Sequence, residues 1–274
     1  MILFRVMDME KRKDISACTP VHAVLFDFDG TISTLRCGWE TVMKPLMLEM
    51  ISGGQGWDAA LEREVDDYIN ESTGIQTIHQ MKWLAETVKA RGMNPGAPED
   101  PWWYKGEYNR RLMENVGKRV ESVKSGLAPR ENYMIRGSEA FLKALRDRGV
   151  KLYVASGTDH PDVISEVAAL GLNEYFTFIA GAPVAAESCS KEKVIADLME
   201  NEGLSGADFA VIGDGKVEIR LGAEAGARTV GLASDEEHLC GVNPVKRERL
   251  IRAGADVICG DFNDLNELLS FLGL

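Results

Sequence analysis

Two aspartates directly follow a short apolar segment near the beginning of the chain. The segment 21–26 (VHAVLF) is rich in apolar and β-branched residues and too short for a helix, so it predicts a buried strand. Asp27 and Asp29 come next, at alternate positions, and on an extended segment their carboxylates point to the same side. Buried charges are costly unless they are paired or bind a metal ion. The spacing therefore indicates a site that holds these carboxylates at the end of the strand.

Other polar residues follow three further predicted strands. They are Ser156 and Gly157 after LYVA, Asp214 after FAVIG, and Lys191 or Lys193 after FTFIAG and its loop. Strands and helices alternate over residues 126–274, which predicts an α/β fold with a parallel sheet covered on both faces. Such sheets bind ligands at the carboxyl ends of their strands. All these side chains are therefore expected at one edge of one sheet.

Residues 36–125 show a different pattern. They contain helical periodicities separated by glycine and proline breaks, with no clear strand, which predicts an all-α insertion. The expected domains are an α/β core, formed by residues 1–35 and 126–274, and a helical domain, formed by residues 36–125. The residues before the first core strand are expected to form a short extension, and Ser138 is expected to cap the helix that follows it.

Composition narrows the function classes. The chain has 274 residues, a net charge of −12, 45% hydrophobic and 27% charged residues, which is ordinary for a globular protein. The negative charge argues against nucleic acid and anionic membranes as partners, and no apolar run approaches the ~20 residues that span a bilayer. The five cysteines are odd in number and form no CxxC pair, which disfavours disulfides and zinc and favours a cytoplasmic location.

Together these motifs resemble the haloacid dehalogenase superfamily, specifically its phosphatase-like members related to phosphoglycolate phosphatase and β-phosphoglucomutase. The first motif, DxDGT, stands here as DFDGT at 27–31, and the second is Ser156. The third is Lys191, by its spacing to the apolar pair Val194 and Ile195, with Lys193 as the alternative. The fourth is Asp214 with Glu218, where the family more often has a second aspartate. The resemblance covers nearly the whole chain and implies a Rossmann-like core with an all-α cap inserted after the first motif.

The resemblance also implies a reaction. Asp27 would attack phosphorus and form an aspartyl phosphate, and Asp29 would act as the general acid and base. The carboxylates of Asp27 and Asp214 and the backbone carbonyl of Asp29 would bind Mg²⁺, a hard cation that prefers oxygen ligands. Ser156, the amide of Gly157 and Lys191 would hold the phosphoryl oxygens. Three further candidates are Glu218, Lys193 and Thr31.

The helical insertion stands where the family carries the cap that closes over the active site. The loop between the first two predicted helices contains Gln55 and Trp57, which would suit a sugar or another polyol, although glycine-rich loops between helices are also common. A second loop contains Gln76. Together with these loops, the resemblance implies a small phosphorylated metabolite, such as a phosphosugar or a phosphoglycolate-like acid, as the substrate.

Two alternatives remain open from the sequence. A phosphomutase of the β-phosphoglucomutase kind would use the same residues and return the phosphoryl group to a sugar. A non-catalytic binding or regulatory protein on the same fold would retain the residues without turnover. The sequence is equally compatible with a monomer and a homodimer.

Overall fold

The computed structural model describes residues 9–12, 19–188 and 190–274. Within them, a seven-stranded sheet forms the centre of the first of two units. Its strands are β1 (Glu10–Lys11), β2 (Ala23–Phe26), β3 (Lys151–Asp159), β4 (Phe178–Ala182), β5 (Phe209–Gly213), β6 (Arg228–Leu232) and β7 (Val257–Cys259). Their order across the sheet is β1-β7-β6-β5-β2-β3-β4, and every neighbouring pair is parallel except β1 and β7.

Helices alternate with strands β3–β7 in this unit. Four further helices come earlier in the chain, between β2 and the first helix of this unit. The helices are α1 (Glu40–Ser52), α2 (Ala59–Glu71), α3 (Thr77–Arg91), α4 (Pro101–Lys124), α5 (Ser138–Asp147), α6 (His160–Ala169), α7 (Ser190–Glu200), α8 (Lys216–Glu224), α9 (Pro244–Ala253) and α10 (Leu265–Phe271). The alternation of strands and helices after residue 126 confirms the predicted α/β class with a Rossmann-like parallel sheet. None of the described helices is both long and apolar enough to cross a membrane.

The chain separates into two compact units. Described residues up to Cys37, together with Ser122–Leu274, form the first unit, and Gly38–Glu121 form the second. The second unit is helical, and α1–α4 bury an apolar core of their own. That core includes Met43, Leu46, Met47, Ile51, Leu61, Val65, Met81, Leu84, Tyr104 and Tyr108. Each unit therefore has its own hydrophobic centre, as expected of a separately packed domain.

Two local expectations were wrong. Residues before the first core strand were expected to form only an extension, but Glu10 and Lys11 pair with β7 as an edge strand. An ion pair between Glu10 Oε2 and Arg247 Nε, at 2.8 Å, connects this edge strand to α9. The rest of the expected extension, residues 1–8 and 13–18, lies outside the described residues. Ser138 is the first residue of α5, while the left-handed Gly137 occupies the cap position.

The central strands position the site. All residues of β2 and β5 are buried, because helices cover both faces of the sheet, and this matches their unbroken apolar sequences. Strand β2 pairs with β5 on one side and with β3 on the other. The residues that follow β2 and β5, and those in the final part of β3, therefore meet at one edge.

Candidate active site

Three buried carboxylates converge where β2 and β5 end. Asp27 extends β2, and its backbone N–H donates to Ile212 O of β5 at 2.9 Å. Asp214 follows β5, and Glu218 lies in the first turn of α8. One carboxylate oxygen from each of Asp27, Asp214 and Glu218 lies within 4.8 Å of the others. The chain thus gathers carboxylate oxygens from three segments into one small region.

A lysine bridges two of these carboxylates. Lys191 Nζ lies 3.2 Å from Asp27 Oδ2 and 2.6 Å from Glu218 Oε2, and all three residues are buried. The other Glu218 oxygen, Oε1, accepts from the backbone N–H of Gly215 at 2.5 Å. Glu218 therefore orients the Lys191 ammonium toward Asp27. Lys193, the other lysine considered from the sequence, is exposed on α7.

The electrostatics of the two aspartates differ. Burial raises the pKa of Asp27 well above its ordinary value, and the nearby carboxylates raise it further, although the Lys191 ammonium opposes this. Burial also acts to raise the pKa of Asp214. In that case the Lys246 ammonium, 2.7 Å from Asp214 Oδ2, acts together with Arg249 and Lys191 to outweigh burial, so the pKa of Asp214 lies below its ordinary value. Without a cation, Asp214 keeps its negative charge more readily than Asp27.

Asp29 lies beside a break in strand pairing. The pairing of β3 with β4 shifts register between Ala155 and Asp159, and the intervening residues turn toward the first motif. Ser156 Oγ and Thr158 Oγ1 donate to Asp29 Oδ2 at 3.3 and 2.9 Å. Ser156 Oγ also accepts from the backbone N–H of Thr158 at 3.0 Å. Gly157 stands between these hydroxyls, within the segment that the register shift displaces.

The second oxygen of Asp29 has a different environment. Asp29 Oδ1 is buried and has no hydrogen-bond partner within the described part of the chain. Its nearest cationic neighbour is Arg36, whose Nε lies 4.0 Å away. Burial raises the pKa of Asp29, while Arg36 and the hydroxyls of Ser156 and Thr158 partly oppose that rise. A carboxyl group with an elevated pKa keeps its proton to a higher pH than a free aspartate does, which suits a proton donor.

Arg36 is held by two acidic residues of α6. Its Nε and Nη2 donate to Glu166 Oε1 at 3.0 and 2.6 Å, and its Nη2 also donates to Asp162 Oδ2 at 3.1 Å. Burial raises the pKa of Glu166 to about 7 even though the Arg36 guanidinium lowers it. This buried pair ties the segment after the first motif to α6, close to Asp29.

We expect Arg36→Met to lower the free energy of unfolding by about 3–5 kcal/mol, because it leaves the buried Glu166 carboxylate without the guanidinium that donates to both of its oxygens. Urea denaturation followed by circular dichroism would measure the loss. Lys143→Met is the matched control, since it removes a cation from the exposed pair with Asp147 and should leave stability nearly unchanged. Equal stability of the two variants would show that the Arg36 pair contributes nothing.

The remaining residues of the first motif support Asp214. Thr31 Oγ1 accepts from the backbone N–H of Asp214 at 3.1 Å, and it lies 3.4 Å from Asp214 Oδ1. Gly30 has a φ of +72°, and a Cβ there would collide with the Asp214 carboxylate. Only glycine therefore combines this left-handed backbone with the close approach of the two loops.

The structure places the other candidates in the second unit. Gln55 and Trp57 are exposed in the loop between α1 and α2, and Gln76 is buried immediately before α3. All three belong to the second unit, Gly38–Glu121. Their role in recognising a substrate stays a prediction.

Several residues of the site region were given no role from the sequence. They include Arg36, Thr158, Glu166 and Lys246. Two of them did leave a signal, because Glu166 and Lys246 occupy buried positions of otherwise amphipathic helices, beside Val163 and Leu250 respectively. A charged residue at an apolar position predicts a buried partner, but the helical pattern does not say which one.

Comparisons with known proteins agree with this geometry. A model of the haloacid dehalogenase-like hydrolases matches residues 21–226, more than half of the chain. A phosphoglycolate phosphatase from Pectobacterium atrosepticum is 20% identical over 214 residues, which cover 78% of this chain and 81% of that protein.

Solved structures show the same fold. One is a predicted phosphoglycolate phosphatase from Haemophilus somnus, with a TM-score of 0.63 and 17% identity, covering 92% of this chain and 99% of that one. Another is a β-phosphoglucomutase from Clostridium difficile, with a TM-score of 0.62 and 15% identity, covering 92% and 97%.

Proposed function

Because the chain belongs to the haloacid dehalogenase-like hydrolase family, we propose that it is a Mg²⁺-dependent phosphatase acting on a small phosphorylated metabolite through an aspartyl phosphate on Asp27. The observation that carries this proposal is the contact between Lys191 and Asp27, at 3.2 Å, beside Asp214. An attacking carboxylate, a cation for the phosphoryl group and a metal-binding carboxylate then stand at one sheet edge. This is the combination that phosphoryl transfer requires, since its catalysis depends on positioning and charge.

The donor set suits a magnesium ion. Asp27 and Asp214 bring buried carboxylate oxygens close together, and hard oxygen donors are the ligands that Mg²⁺ prefers. Glu218 is less suited as a direct ligand, because Lys191 at 2.6 Å and the Gly215 N–H at 2.5 Å engage both of its oxygens closely. Asp214 differs, since among the residues that the structure describes its Oδ1 has only a 3.4 Å contact with Thr31 Oγ1. We therefore assign Asp27, Asp214 and the backbone carbonyl of Asp29 to the ion. When bound, Mg²⁺ would supply positive charge that neutralises the phosphoryl oxygens.

The chain's own residues would perform the first step. The Asp27 carboxylate attacks phosphorus, forming a new O–P bond while the bond to the leaving oxygen breaks. Asp29 donates a proton to that oxygen, so the product leaves as a neutral alcohol. Lys191 and the Ser156 hydroxyl would hold the phosphoryl oxygens. The elevated pKa of Asp29 supports its role as the proton donor.

Water completes the cycle in the second step. Asp29, now ionised, accepts a proton from a water molecule as that water attacks phosphorus. The bond between phosphorus and the Asp27 oxygen breaks, which releases inorganic phosphate and restores the free carboxylate. The Thr158 hydroxyl, which donates to Asp29 Oδ2 at 2.9 Å, would keep the base in one orientation between the steps, while the Ser156 hydroxyl donates to the phosphoryl oxygens.

We assign the second unit, Gly38–Glu121, as the cap that selects the substrate. Gln55, Trp57 and Gln76 are its proposed substrate contacts. A relative that is 20% identical is named phosphoglycolate phosphatase, which makes phosphoglycolate the first acid to test beside hexose phosphates. By excluding bulk water, such a cap would also limit hydrolysis to the second step, in which water attacks the aspartyl phosphate.

The test is turnover of p-nitrophenyl phosphate, phosphoglycolate and a panel of hexose phosphates, with Mg²⁺ and with EDTA. We expect release of inorganic phosphate that requires Mg²⁺. Phosphorus NMR would separate this outcome from transfer between two positions of a hexose, which would indicate a mutase. Absence of both products from every substrate would contradict the enzyme proposal and support a non-catalytic protein.

A further inference from the structure

We propose that Lys246, together with Glu236, is a positioning residue that holds Asp214 for a divalent cation. The inference rests on the proposed function, because it concerns the same metal site. Neither residue belongs to the four motifs found in the sequence. Lys246 stands in α9, beyond the last motif, and Glu236 lies in the loop after β6.

Lys246 is a buried cation with three oxygen neighbours. Its Nζ lies 2.7 Å from Asp214 Oδ2, 2.6 Å from Glu236 Oε1 and 3.0 Å from Ser234 Oγ. Its side chain is 11% exposed and that of Asp214 only 8%. A long lysine side chain loses much rotamer freedom on such burial, so these contacts define one arrangement of the ammonium group.

The backbone around Lys246 is also fixed. Asn243 caps α9 by accepting from the N–H groups of Val245 and Lys246, at 3.0 and 3.1 Å. Pro244, at the first helical position, restricts the chain further. The ammonium thus extends toward Asp214 from a rigid helix start, instead of reaching it from a flexible loop.

The same contacts extend to the first motif. Ser234, which accepts from Lys246, donates its own hydroxyl hydrogen to the backbone oxygen of Gly30. Asp214 contacts Lys246 through Oδ2 and Thr31 through Oδ1. Each oxygen of the carboxylate therefore has a defined neighbour, and its plane cannot rotate freely.

Charge balance explains why a lysine can occupy this place. Lys246 carries one positive charge between the carboxylates of Asp214 and Glu236, so the three side chains together keep one negative charge. A dication is still attracted, while Asp214 stays oriented. The arrangement parallels the contact of Lys191 with Asp27 and Glu218, in which a glutamate also holds a lysine against a site aspartate.

Partners that orient metal-binding carboxylates typically contribute 10–100-fold to metal affinity. We therefore expect Lys246→Met to raise the dissociation constant for Mn²⁺, a spectroscopic substitute for Mg²⁺, by about 10–100-fold. Free Mn²⁺ would be measured by electron paramagnetic resonance on the full chain without substrate, so the result does not depend on turnover. Lys143→Met, which removes a lysine from an exposed pair with Asp147, should leave the affinity unchanged.

Glu236→Gln provides a second test that keeps the lysine. The amide leaves the Lys246 charge less compensated, so Mn²⁺ binding should again weaken. Thermal unfolding of each variant would verify that the protein is folded at the titration temperature. If Lys246→Met is unfolded at that temperature, Glu236→Gln provides the test instead. Weakened binding in the folded variants supports the inference.

Unchanged or tighter Mn²⁺ binding in folded Lys246→Met would overturn it, since Lys246 would then be indifferent to the cation or compete with it. A wild-type protein that binds no Mn²⁺ would instead overturn the metal site of the proposed function, and this inference with it. The two failures are therefore distinguishable from one set of titrations.

Discussion

Replacement of Asp27 by asparagine is expected to lower turnover of p-nitrophenyl phosphate by on the order of 10⁴-fold or more, the size of effect seen when a covalent nucleophile is removed. The amide keeps the shape of the side chain but cannot form the aspartyl phosphate. Burial and the neighbouring carboxylates raise the pKa of Asp27, so its charged form at neutral pH opposes folding when no cation is bound. The variant should therefore be at least as stable as the wild type without metal, which separates lost chemistry from lost structure.

The measurement is the initial rate at saturating Mg²⁺, together with thermal unfolding in EDTA. Asp147→Asn is the matched control, because it makes the same chemical change in an exposed ion pair with Lys143 on α5. It should retain wild-type turnover. Activity of Asp27→Asn within tenfold of the wild type would remove Asp27 from the role of nucleophile, whatever the fold of the protein.

The residues that follow the central strands could be located from the sequence because they are local features. An unbroken apolar segment predicts a strand buried on both faces, and the next polar residue then lies at its carboxyl end. This reasoning led from β2 to Asp27 and from β5 to Asp214, which the sheet order indeed makes neighbours. Parallel pairing supplies the convergence without knowledge of any side-chain contact.

The side chains that orient the motif residues could not be found in the same way. Arg36 and Glu166 are 130 positions apart, and nothing local to either one names the other. Thr158 reaches Asp29 only because strand pairing shifts register between Ala155 and Asp159, and a register shift has no clear sequence pattern here. Such contacts depend on how α6 and β3 pack, which is a property of the assembled fold.

The edge strand β1 illustrates a second limit. It consists of two residues, Glu10 and Lys11, which are neither apolar nor β-branched and so give no strand signal. The strand forms because β7 offers an unpaired edge, and Arg247 of α9 binds Glu10. Tertiary contacts, rather than local preference, determine the structure of this segment.

The second large effect is expected for Lys191→Met, which should lower kcat by about 10²–10³-fold, as the loss of a charge-stabilising donor commonly does. In the wild type, Lys191 Nζ lies 3.2 Å from the proposed nucleophile, where its ammonium would face the oxygens of a phosphoryl group bound to Asp27. The variant lacks this charge. Burial lowers the pKa of Lys191, but Asp27 and Glu218 raise it by more, so the group stays charged throughout the working pH range. The charge lost with Lys191 should therefore be the same at every working pH, while the higher pKa of Asp27 in its absence makes the total loss largest at low pH.

Lys193→Met is the control that decides between the two lysines, since it removes the same charge from the same helix at an exposed position. We expect it to keep kcat within about twofold of the wild type, because a surface charge on a solvated helix face interacts weakly with a buried site.

The Lys191→Met variant also leaves Asp27 and Glu218 buried without their shared cation, which lowers its stability. Its folded fraction must therefore be determined by circular dichroism, and its kcat expressed per folded molecule. If Lys193→Met loses activity while folded Lys191→Met retains it, the phosphate cation has been assigned to the wrong residue, and the side chain that contacts Asp27 serves stability alone.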